Sequence, residues 1–376
     1  MAVLGAFLLA VTYGLARFVF GLFLPAIRSD LGLGATAAGV VGALPFVSFL
    51  GAVLIGPAVA RRLGTRLAGG LAVGLAAAGL VAIATAPGVL VLGIGVAVCG
   101  ISTGLSSPVL ARAVRLAVRP QLRGRVNAVH NAGTSLGVAL GTPAMIWLLG
   151  AWRSAYLAFA VVAVLGAVAA LVFLPRGREG GAALGGRGAP PWPSGAQWRR
   201  VARLAALAGA MGLVSSIYWV FAPDLVVNEG GLTDRDSAWM WLAIGLAGLS
   251  GGGAGDLIDR FGPGRTHALA LALMGGSLGL AAAAPGDFGL ALVSAAGFGA
   301  AYMTLTGFYL VRGVRTMSER PALGPVLPLS ATTIGQALGS PLAGWTIDAA
   351  GYTLAFGGFA AFGLVAAVAS GRLAAR

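Results

Sequence analysis

Long runs of apolar residues fill almost the whole chain, and short segments containing Arg, Asp, Gly or Pro separate them. A helix rises about 1.5 Å per residue, so about 20 residues cross the roughly 30 Å hydrocarbon core of a membrane. The runs predict about twelve membrane helices, near residues 2–27, 36–59, 67–86, 88–111, 126–150, 153–174, 204–227, 237–258, 267–284, 288–311, 326–349 and 352–370. The pattern therefore predicts an all-α integral membrane protein.

The composition agrees with lipid as the solvent, because 58% of the residues are hydrophobic and only 10% are charged. A soluble globule needs more polar surface than this. The 62 glycines favour close approach of helix backbones, which is how helices pack in lipid. Cys99 is the single cysteine, so the sequence offers neither a disulfide framework nor a thiolate metal site. We expect a closely packed helical bundle with no metal or other cofactor.

Short sequences recur 198 positions apart along the chain. The repeated pairs are APG at 86–88 and 284–286, RLG at 62–64 and RFG at 260–262, and GVALGTP at 137–143 and GQALGSP at 335–341. Two equivalent halves of membrane helices are typical of solute transporters. The sequence therefore predicts a six-helix bundle at 1–174, a linker at 175–203 and a second six-helix bundle at 204–376.

The basic residues are all arginines, and they give the chain a net charge of +14. They cluster in alternate short loops and not on one face, which favours membrane topology over nucleic-acid binding. The positive-inside rule then places both termini and the linker 175–203, with its Trp192 and Trp198, at the cytoplasmic side. Together with the Ala- and Gly-rich composition typical of GC-rich genomes, this predicts a multi-pass protein of a bacterial inner membrane.

A signature of charged residues and glycines lies between the second and third helices of the second half. GDLIDRFGPGR at 255–265 resembles the G-x-x-x-D-R-x-G-R-R motif of the major facilitator superfamily, and PAVARRLGTR at 57–66 is a degenerate first-half copy. The first helix, with YGLARF at 13–18 and LP at 24–25, resembles the poorly characterised YbfB/YjiJ-like branch of that superfamily. The superfamily resemblance covers the whole chain, whereas the branch resemblance rests mainly on the first helix.

The resemblance implies two pseudo-symmetric six-helix bundles around a central cavity that opens alternately to each side. It also implies that the signature residues act in gating: Asp259, Arg260 and Gly262 in the second half, with Arg62 and Gly64 in the first. We expect the Asp259 carboxylate to cap nearby amides or to pair with Arg312 or Arg315 at the end of the tenth helix.

Arg17 is the strongest candidate for a substrate-binding residue. It lies near the middle of the first span, where a lone cation costs about 2.5–3.5 kcal/mol, so it should face a wet cavity or a partner. An unpaired guanidinium there suits a carboxylate or another planar anion. The alternative, equally weighted, is a structural arginine that donates to helix carbonyls. Tyr13 lies one turn earlier on the same face and can orient Arg17, touch the substrate or simply pack.

Four hydroxyl-bearing residues complete the predicted substrate site: Ser106, Ser215, Tyr218 and Thr306. Each belongs to a cluster of polar residues on the fourth, seventh or tenth helix. For any one hydroxyl, bonding within its own helix or to a neighbouring helix is the more ordinary role. Only the clustering of these residues favours a polar lining.

The sequence predicts a monomeric secondary transporter that moves a small organic solute, with an organic anion favoured and protons as a candidate coupling ion. Drug or metabolite efflux is the first alternative, because the glycines and prolines of the fifth and eleventh helices imperfectly resemble an efflux motif. A receptor or scaffold with the same fold is an alternative of another class. No constellation for metal, nucleotide or nucleophilic chemistry is present, so an enzyme is not expected.

Overall fold

The protein is helical throughout the part of the chain that the computed structural model describes, namely residues 1–148, 151–177, 193–317 and 324–375. The first six membrane helices are α1 Ala2–Leu31, α2 35–63, α3 65–84, α4 Val89–Ala117, α5 123–147 and α6 Trp152–Phe173. The second six are α7 Gly195–Glu229, α8 Asp234–Phe261, α9 Pro263–Ala283, α10 Phe288–Thr316, α11 326–350 and α12 352–375.

Nine continuous stretches among the described residues are long and apolar enough to cross a membrane. Two of these stretches, Ala35–Ala84 and the one that begins at Val326, each contain two helices that meet at a bend. The bends lie at Gly64 and Gly351, whose φ angles of 77° and 81° fall in the region that glycine adopts most easily. With α5 added, the count is twelve helices, so the predicted fold class is confirmed.

The seventh helix begins earlier than the sequence predicts. The apolar run indicated a start at residue 204, but α7 starts at Gly195, and Ser194 caps it. The Ser194 hydroxyl accepts from the Gln197 amide at 3.2 Å, and the Gln197 side chain accepts from the Ser194 amide at 2.7 Å. Polar residues thus extend the helix beyond its apolar part through a capping box. Residues 178–192 of the predicted linker, including Gly185 and Trp192, lie outside the described residues.

The internal repeat is visible in the backbone at the two signature loops. Gly64 (φ 77°, ψ 168°) and Gly262 (φ 78°, ψ 157°) occupy equivalent positions and have nearly the same conformation. Each ends one helix and allows the next to begin without an intervening loop. A side chain at either position would be strained, because L residues rarely adopt this region.

Glycines also set the closest helix crossings of each half. A Cβ at Gly137 of α5 would lie 2.2 Å from the Ala10 carbonyl oxygen of α1. At the equivalent position, a Cβ at Gly335 of α11 would lie 2.1 Å from the Gly209 carbonyl oxygen of α7. Backbones this close exclude any side chain between them. The close approach of helix backbones that the glycine content favours therefore occurs at equivalent places in the two halves.

Most arginines lie at one end of the bundle and most acidic residues at the other, although Arg28 and Arg153 lie with the acidic residues and Asp259 lies with the arginines. One end, here called the arginine-rich end, holds Arg61, Arg62, Arg66, Arg112, Arg115, Arg260, Arg265, Arg312 and Arg315. The opposite end, here called the acidic end, holds Asp30, Asp224, Glu229, Asp287 and Asp348. The apolar bodies of the helices lie between these two ends.

Candidate functional site

Arg17 lies in the interior of the bundle and is only 6% exposed. Its guanidinium carbon is 4.6 Å from the ring centroid of Phe49, 4.7 Å from that of Phe46, 5.3 Å from that of Phe18 and 5.8 Å from that of Tyr13. The Nε atom is buried without a hydrogen-bond partner. No ion pair within the described part of the chain includes Arg17. The four rings therefore surround a cation that has no carboxylate.

The helix that carries Arg17 departs from regular α geometry. Residues Ala10–Phe18 form a π-helical stretch in the middle of α1. Such stretches are rare and often occur at functional sites, because the wider turn changes which side chains share a face. Tyr13 lies in the same stretch and its hydroxyl is hydrogen-bonded to Ser107 of α4. This bond ties the π-helical stretch to the neighbouring helix and orients the ring beside Arg17.

Aromatic residues of the second half form the opposite wall. The Phe18 ring packs against Trp219 of α7 at a centroid distance of 4.4 Å and meets Tyr302 of α10 edge-on at 6.1 Å. The Tyr302 hydroxyl accepts a hydrogen bond from the Gln336 side chain at 3.2 Å. The Trp219 Nε1 group is buried and has no acceptor at hydrogen-bond geometry, although it interacts with the Tyr302 hydroxyl. The wall therefore presents donors and apolar rings.

Two cavities lie between this wall and the arginine-rich end. A small cavity of about 10 Å³ borders Phe18, Trp219, Tyr302 and Met303, and it has room for about one water molecule. A larger cavity of about 210 Å³ shares Met303 and lies between α5, α8 and α10, nearer the arginine-rich end. Its lining is mostly glycine and apolar residues, with the side-chain amides of Asn127 and Asn131. Met303 therefore lies at the border between the small central cavity and the larger one, which is here called the vestibule.

At the acidic end and in the middle, the two halves touch directly. The Thr142 hydroxyl donates to the Ala238 carbonyl at 2.8 Å, which joins α5 to α8. A Cβ at Gly39 of α2 would lie 2.4 Å from the Ser340 carbonyl oxygen of α11. Helices α2 and α11 therefore approach backbone to backbone. The state described here is closed at the acidic end and has its larger cavity toward the arginine-rich end.

Of the predicted substrate-site residues, Arg17 and Tyr13 are brought together. The other four hydroxyls bond elsewhere: Ser106 to the Ser102 carbonyl at 2.9 Å, Ser215 to the Gly212 carbonyl at 3.0 Å, Thr306 to the Tyr302 carbonyl at 2.9 Å, and Tyr218 to the Ser294 hydroxyl at 2.8 Å. Three of these bonds lie within the residue's own helix. In this state those four hydroxyls are satisfied by protein atoms, and their contact with substrate remains a prediction.

Sequence reasoning singled out Tyr13, but it did not single out the three Phe rings around Arg17 or the residues of the opposite wall. Phe18, Phe46 and Phe49 cannot be distinguished from core residues by sequence, because they lie in apolar runs as most of the other Phe residues do. Gln336 carried a usable signal, since it is the only side-chain amide in the apolar run 326–349. Such a group in the middle of a span needs a partner, and here the partner is Tyr302.

The predicted gating residues lie at the arginine-rich end. The Asp259 carboxylate accepts from both terminal nitrogens of Arg315, at 2.8 and 3.3 Å, so of the two predicted partners Arg315 is the one that pairs with it. Arg260 lies over the Phe261 ring at 5.3 Å. Arg312 lies near the end of α10, the helix that carries Arg315. The first half has Arg61 where the second half has Asp259, and Arg112 there donates to the Ala60 carbonyl at 2.9 Å. Arg62 and Gly64 lie in the equivalent loop.

Comparisons with known proteins agree with this architecture. The Major Facilitator Superfamily sequence model matches residues 6–314, whereas no curated protein matches the sequence. Among solved structures, the nucleoside transporter NupG has a TM-score of 0.75 at 13% identity, covering 99% of this chain and 97% of that one. A bacterial homolog of the human lysosomal transporter Spinster, inward-facing and unoccupied, has a TM-score of 0.78 at 16% identity, covering 99% and 97%.

A third similar structure is a POT family transporter in complex with 5-aminolevulinic acid, with a TM-score of 0.78 at 14% identity, covering 99% of this chain and 96% of that one. Identities this low show that the fold is shared and do not identify a substrate. The family model, by contrast, covers most of the chain. This multi-pass membrane protein therefore belongs to the Major Facilitator Superfamily and is a secondary transporter of small solutes.

Proposed function

We propose that the protein carries a small organic anion whose negative group binds Arg17 at the centre of the bundle. The single observation that supports this most is the burial of the Arg17 guanidinium among four rings, with its Nε unpartnered and no carboxylate of the described residues paired to it. A cation held in this way is expensive in a membrane and marks a functional site by default.

The four rings do not take the place of an anion, because rings and anions contact different parts of the guanidinium. A cation–π contact uses the faces of the group and contributes about 0.5–2 kcal/mol each. The N–H donors lie in its plane and can still bind a carboxylate with two parallel hydrogen bonds. Exclusion of water by Phe46 and Phe49 strengthens such a bond. The arrangement therefore holds the cation and leaves its hydrogen-bonding edge for a ligand.

The surroundings favour a monovalent solute with an apolar body. Arg17 is the cation that the rings enclose, and Phe18, Trp219 and Tyr302 form the wall beside it. The Trp219 Nε1 group beside the Tyr302 hydroxyl is a further polar group of this wall. A sugar would need many more hydrogen-bonding partners than this wall supplies. A carboxylate attached to a small hydrocarbon or ring matches this site, because the carboxylate suits Arg17 and the apolar body suits the aromatic wall.

Transport then follows alternating access. In the state described, a solute enters or leaves through the 210 Å³ cavity, and Met303 must move before it reaches Phe18 and Arg17. Rocking of residues 1–174 against 204–376, about the linker 175–203, opens the acidic end in the other state. The signature residues Asp259, Arg260, Gly262, Arg62, Gly64 and Arg312 are proposed to control closure of the arginine-rich end.

The proposal extends to location. We place the protein as a monomer in a bacterial inner membrane, in contact with lipid, with the arginine-rich end and both termini in the cytoplasm. The separation of arginines from acidic residues supports this orientation. The YGLARF sequence of α1 supports assignment to the YbfB/YjiJ-like branch.

Arg17 is tested by ligand binding to purified variants. A thermal-shift screen of the parent against organic anions and cationic drugs identifies ligands, because binding to the folded state raises its melting temperature. We expect Arg17→Ala to weaken anion binding by well over tenfold, since removing one partner of a desolvated charged contact costs about 2–5 kcal/mol. Arg17→Lys should restore binding only in part, because it keeps the charge and loses the planar fork.

A second buried arginine provides the matched control. Arg112 is 3% exposed and also has an unpartnered Nε, but it lies at the arginine-rich end and donates to Ala60. Arg112→Lys should leave anion affinity unchanged. If folded Arg17→Ala and Arg17→Lys bind every ligand as the parent does, Arg17 is structural. The anion proposal is then replaced by efflux of neutral or cationic solutes, which the aromatic wall also suits.

A further inference from the structure

A buried serine hydroxyl at the edge of the small central cavity has no hydrogen-bond partner. Ser135 of α5 is 2% exposed, and its Oγ atom is buried without a partner among the described residues. A serine within a helix ordinarily donates to a carbonyl of the preceding turn, as Ser106 does to the Ser102 carbonyl at 2.9 Å. A hydroxyl that has lost its water and gained no such bond weakens the fold. Its place in the interior therefore calls for a reason other than packing.

The Ser135 hydroxyl lies where the two cavities meet. Ser135 borders the small central cavity together with Trp219 and Tyr302. A Cβ at Gly248 of α8 would lie 2.9 Å from the Ser135 Oγ and 3.0 Å from the Met303 Cγ. The hydroxyl is thus close to the side chain at the border between the small cavity and the vestibule, on the path that we propose for the solute.

A second hydroxyl at the same cavity is held as a donor. The Tyr302 oxygen accepts from the Gln336 side-chain amide at 3.2 Å and interacts with the Trp219 Nε1 group. Both of these neighbours are N–H groups, which donate and do not accept. They occupy the lone-pair side of the oxygen, and the described residues supply no acceptor for its hydrogen. The Tyr302 hydroxyl is therefore a donor that lacks an acceptor.

We propose that Ser135 and Tyr302 form a subsite for a neutral oxygen atom of the solute, so that the cargo is a hydroxy or keto derivative of an organic acid. Tyr302 donates to this oxygen, while the Ser135 hydroxyl donates to it or, when the oxygen belongs to a hydroxyl, accepts from it. The inference rests on the proposed binding of the carboxylate at Arg17. Arg17 and Tyr302 lie within electrostatic reach of each other, so one small solute can contact both.

The lining of the small central cavity explains why the bound group is a neutral oxygen. Among the described residues, the side chains that border this cavity carry no charge. A second carboxylate would lack a cation here, and an ammonium group would meet the Tyr302 hydrogen and the Trp219 N–H. The volume of about 10 Å³ accepts a group the size of one water molecule. These properties fit a hydroxyl or carbonyl oxygen.

The test compares carboxylates that differ by a single oxygen. Benzoate is paired with meta- and para-hydroxybenzoate, and hexanoate with its hydroxy and keto derivatives, so that the distance from carboxylate to oxygen varies. Binding to the purified full chain in lipid nanodiscs is measured by titration calorimetry. In at least one pair the oxygen-bearing acid should bind about three- to tenfold more tightly than its partner, which is the effect of one neutral hydrogen bond.

Variants then assign this preference to the two hydroxyls. Ser135→Ala and Tyr302→Phe should each reduce the affinity ratio of the pair toward one, while the oxygen-free acid keeps its affinity within about twofold. The oxygen-free acid thereby reports that each variant is folded, and Ser135→Ala alone suffices if Tyr302→Phe does not fold. Arg17→Ala should instead weaken both members of a pair alike, because both carry the carboxylate.

Two matched controls remove equivalent hydroxyls elsewhere in the interior. The Ser102 and Tyr156 hydroxyls are also buried without a partner among the described residues, but neither residue borders the small cavity or the vestibule. Ser102→Ala and Tyr156→Phe should keep the affinity ratio of the parent. A ratio that falls as far in these controls as in Ser135→Ala and Tyr302→Phe would overturn the proposed subsite.

The outcomes separate this inference from the proposal on which it rests. If carboxylates bind and Arg17→Ala weakens them, but no oxygen-bearing acid binds more tightly than its partner, the subsite is wrong and the anion proposal stands. The subsite is equally wrong if Ser135→Ala and Tyr302→Phe both keep the parent ratio. If a folded parent binds none of these carboxylates, or if Arg17→Ala binds them as the parent does, the anion proposal fails and the subsite fails with it.

Discussion

The closest helix crossing of the first half allows a sharp test of the packing. Gly137→Ala would place a methyl carbon 2.2 Å from the Ala10 carbonyl oxygen and 2.7 Å from its Cα, whereas carbon contacts are optimal at about 3.5 Å or more. Both atoms belong to backbone, so α1 and α5 must separate by about 1 Å. Overpacking of this kind costs about 1–3 kcal/mol, and the better helix propensity of alanine offsets at most about 1 kcal/mol of that.

We therefore expect Gly137→Ala to destabilise the folded protein by roughly 1–2 kcal/mol. The measurement is the thermal unfolding midpoint in detergent, where each kcal/mol corresponds to about 2–4 °C for a body the size of one half. Gly276→Ala is the control, because a Cβ at this exposed glycine of α9 meets no atom within 4 Å. Gly335→Ala tests the repeat and should lose as much stability as Gly137→Ala. Equal midpoints for Gly137→Ala and Gly276→Ala would refute the close crossing.

Three further predictions concern other parts of the molecule. His267→Leu should lower the unfolding free energy by about 1–3 kcal/mol, measured by thermal melts, because the buried ring bonds Tyr309 at 2.8 Å and Ser370 at 2.9 Å; an unchanged melt would contradict this. Asp259→Asn should leave the melt unchanged, since the pair with Arg315 is exposed, yet should lengthen label distances across the arginine-rich end if Asp259 helps to close it. A cysteine at Gly185, in a Cys99→Ala background, should resist an impermeant thiol reagent in intact cells; ready labelling would reverse the orientation.

The fold could be predicted from the sequence because each signal was local and repeated. Apolar run lengths indicated the twelve helices, and the recurring RLG and RFG sequences marked Gly64 and Gly262 as equivalent turns. The start of α7 at Gly195 was missed because polar residues continue the helix past its apolar part, with Ser194 as its cap. A hydropathy pattern detects the part of a helix that is buried in lipid. It does not detect the part that continues into the headgroup region or beyond.

The candidate site was only partly predictable. Arg17 stood out because a charge in the middle of a span is costly, and Tyr13 followed from helical spacing. The rings of Phe46 and Phe49 come from another helix, and Trp219 and Tyr302 come from the other half, so no sequence spacing connects them with Arg17. The pairing of Arg28 with Asp224 spans 196 positions and depends on how the halves dock. Long-range docking is not encoded in any local pattern.

Several glycines line the vestibule near the arginine-rich end, and this has an evolutionary consequence. At Gly124, Gly252 and Gly255 an added methyl group would meet no atom within 4 Å. These three glycines line the cavity, so small side chains there would narrow it without disturbing any helix contact. Single-nucleotide changes at such codons can therefore lower the largest size of cargo admitted, one methyl group at a time, while the chemistry around Arg17 stays the same. A lineage of related carriers could diverge in cargo size by this route long before it diverges in cargo charge.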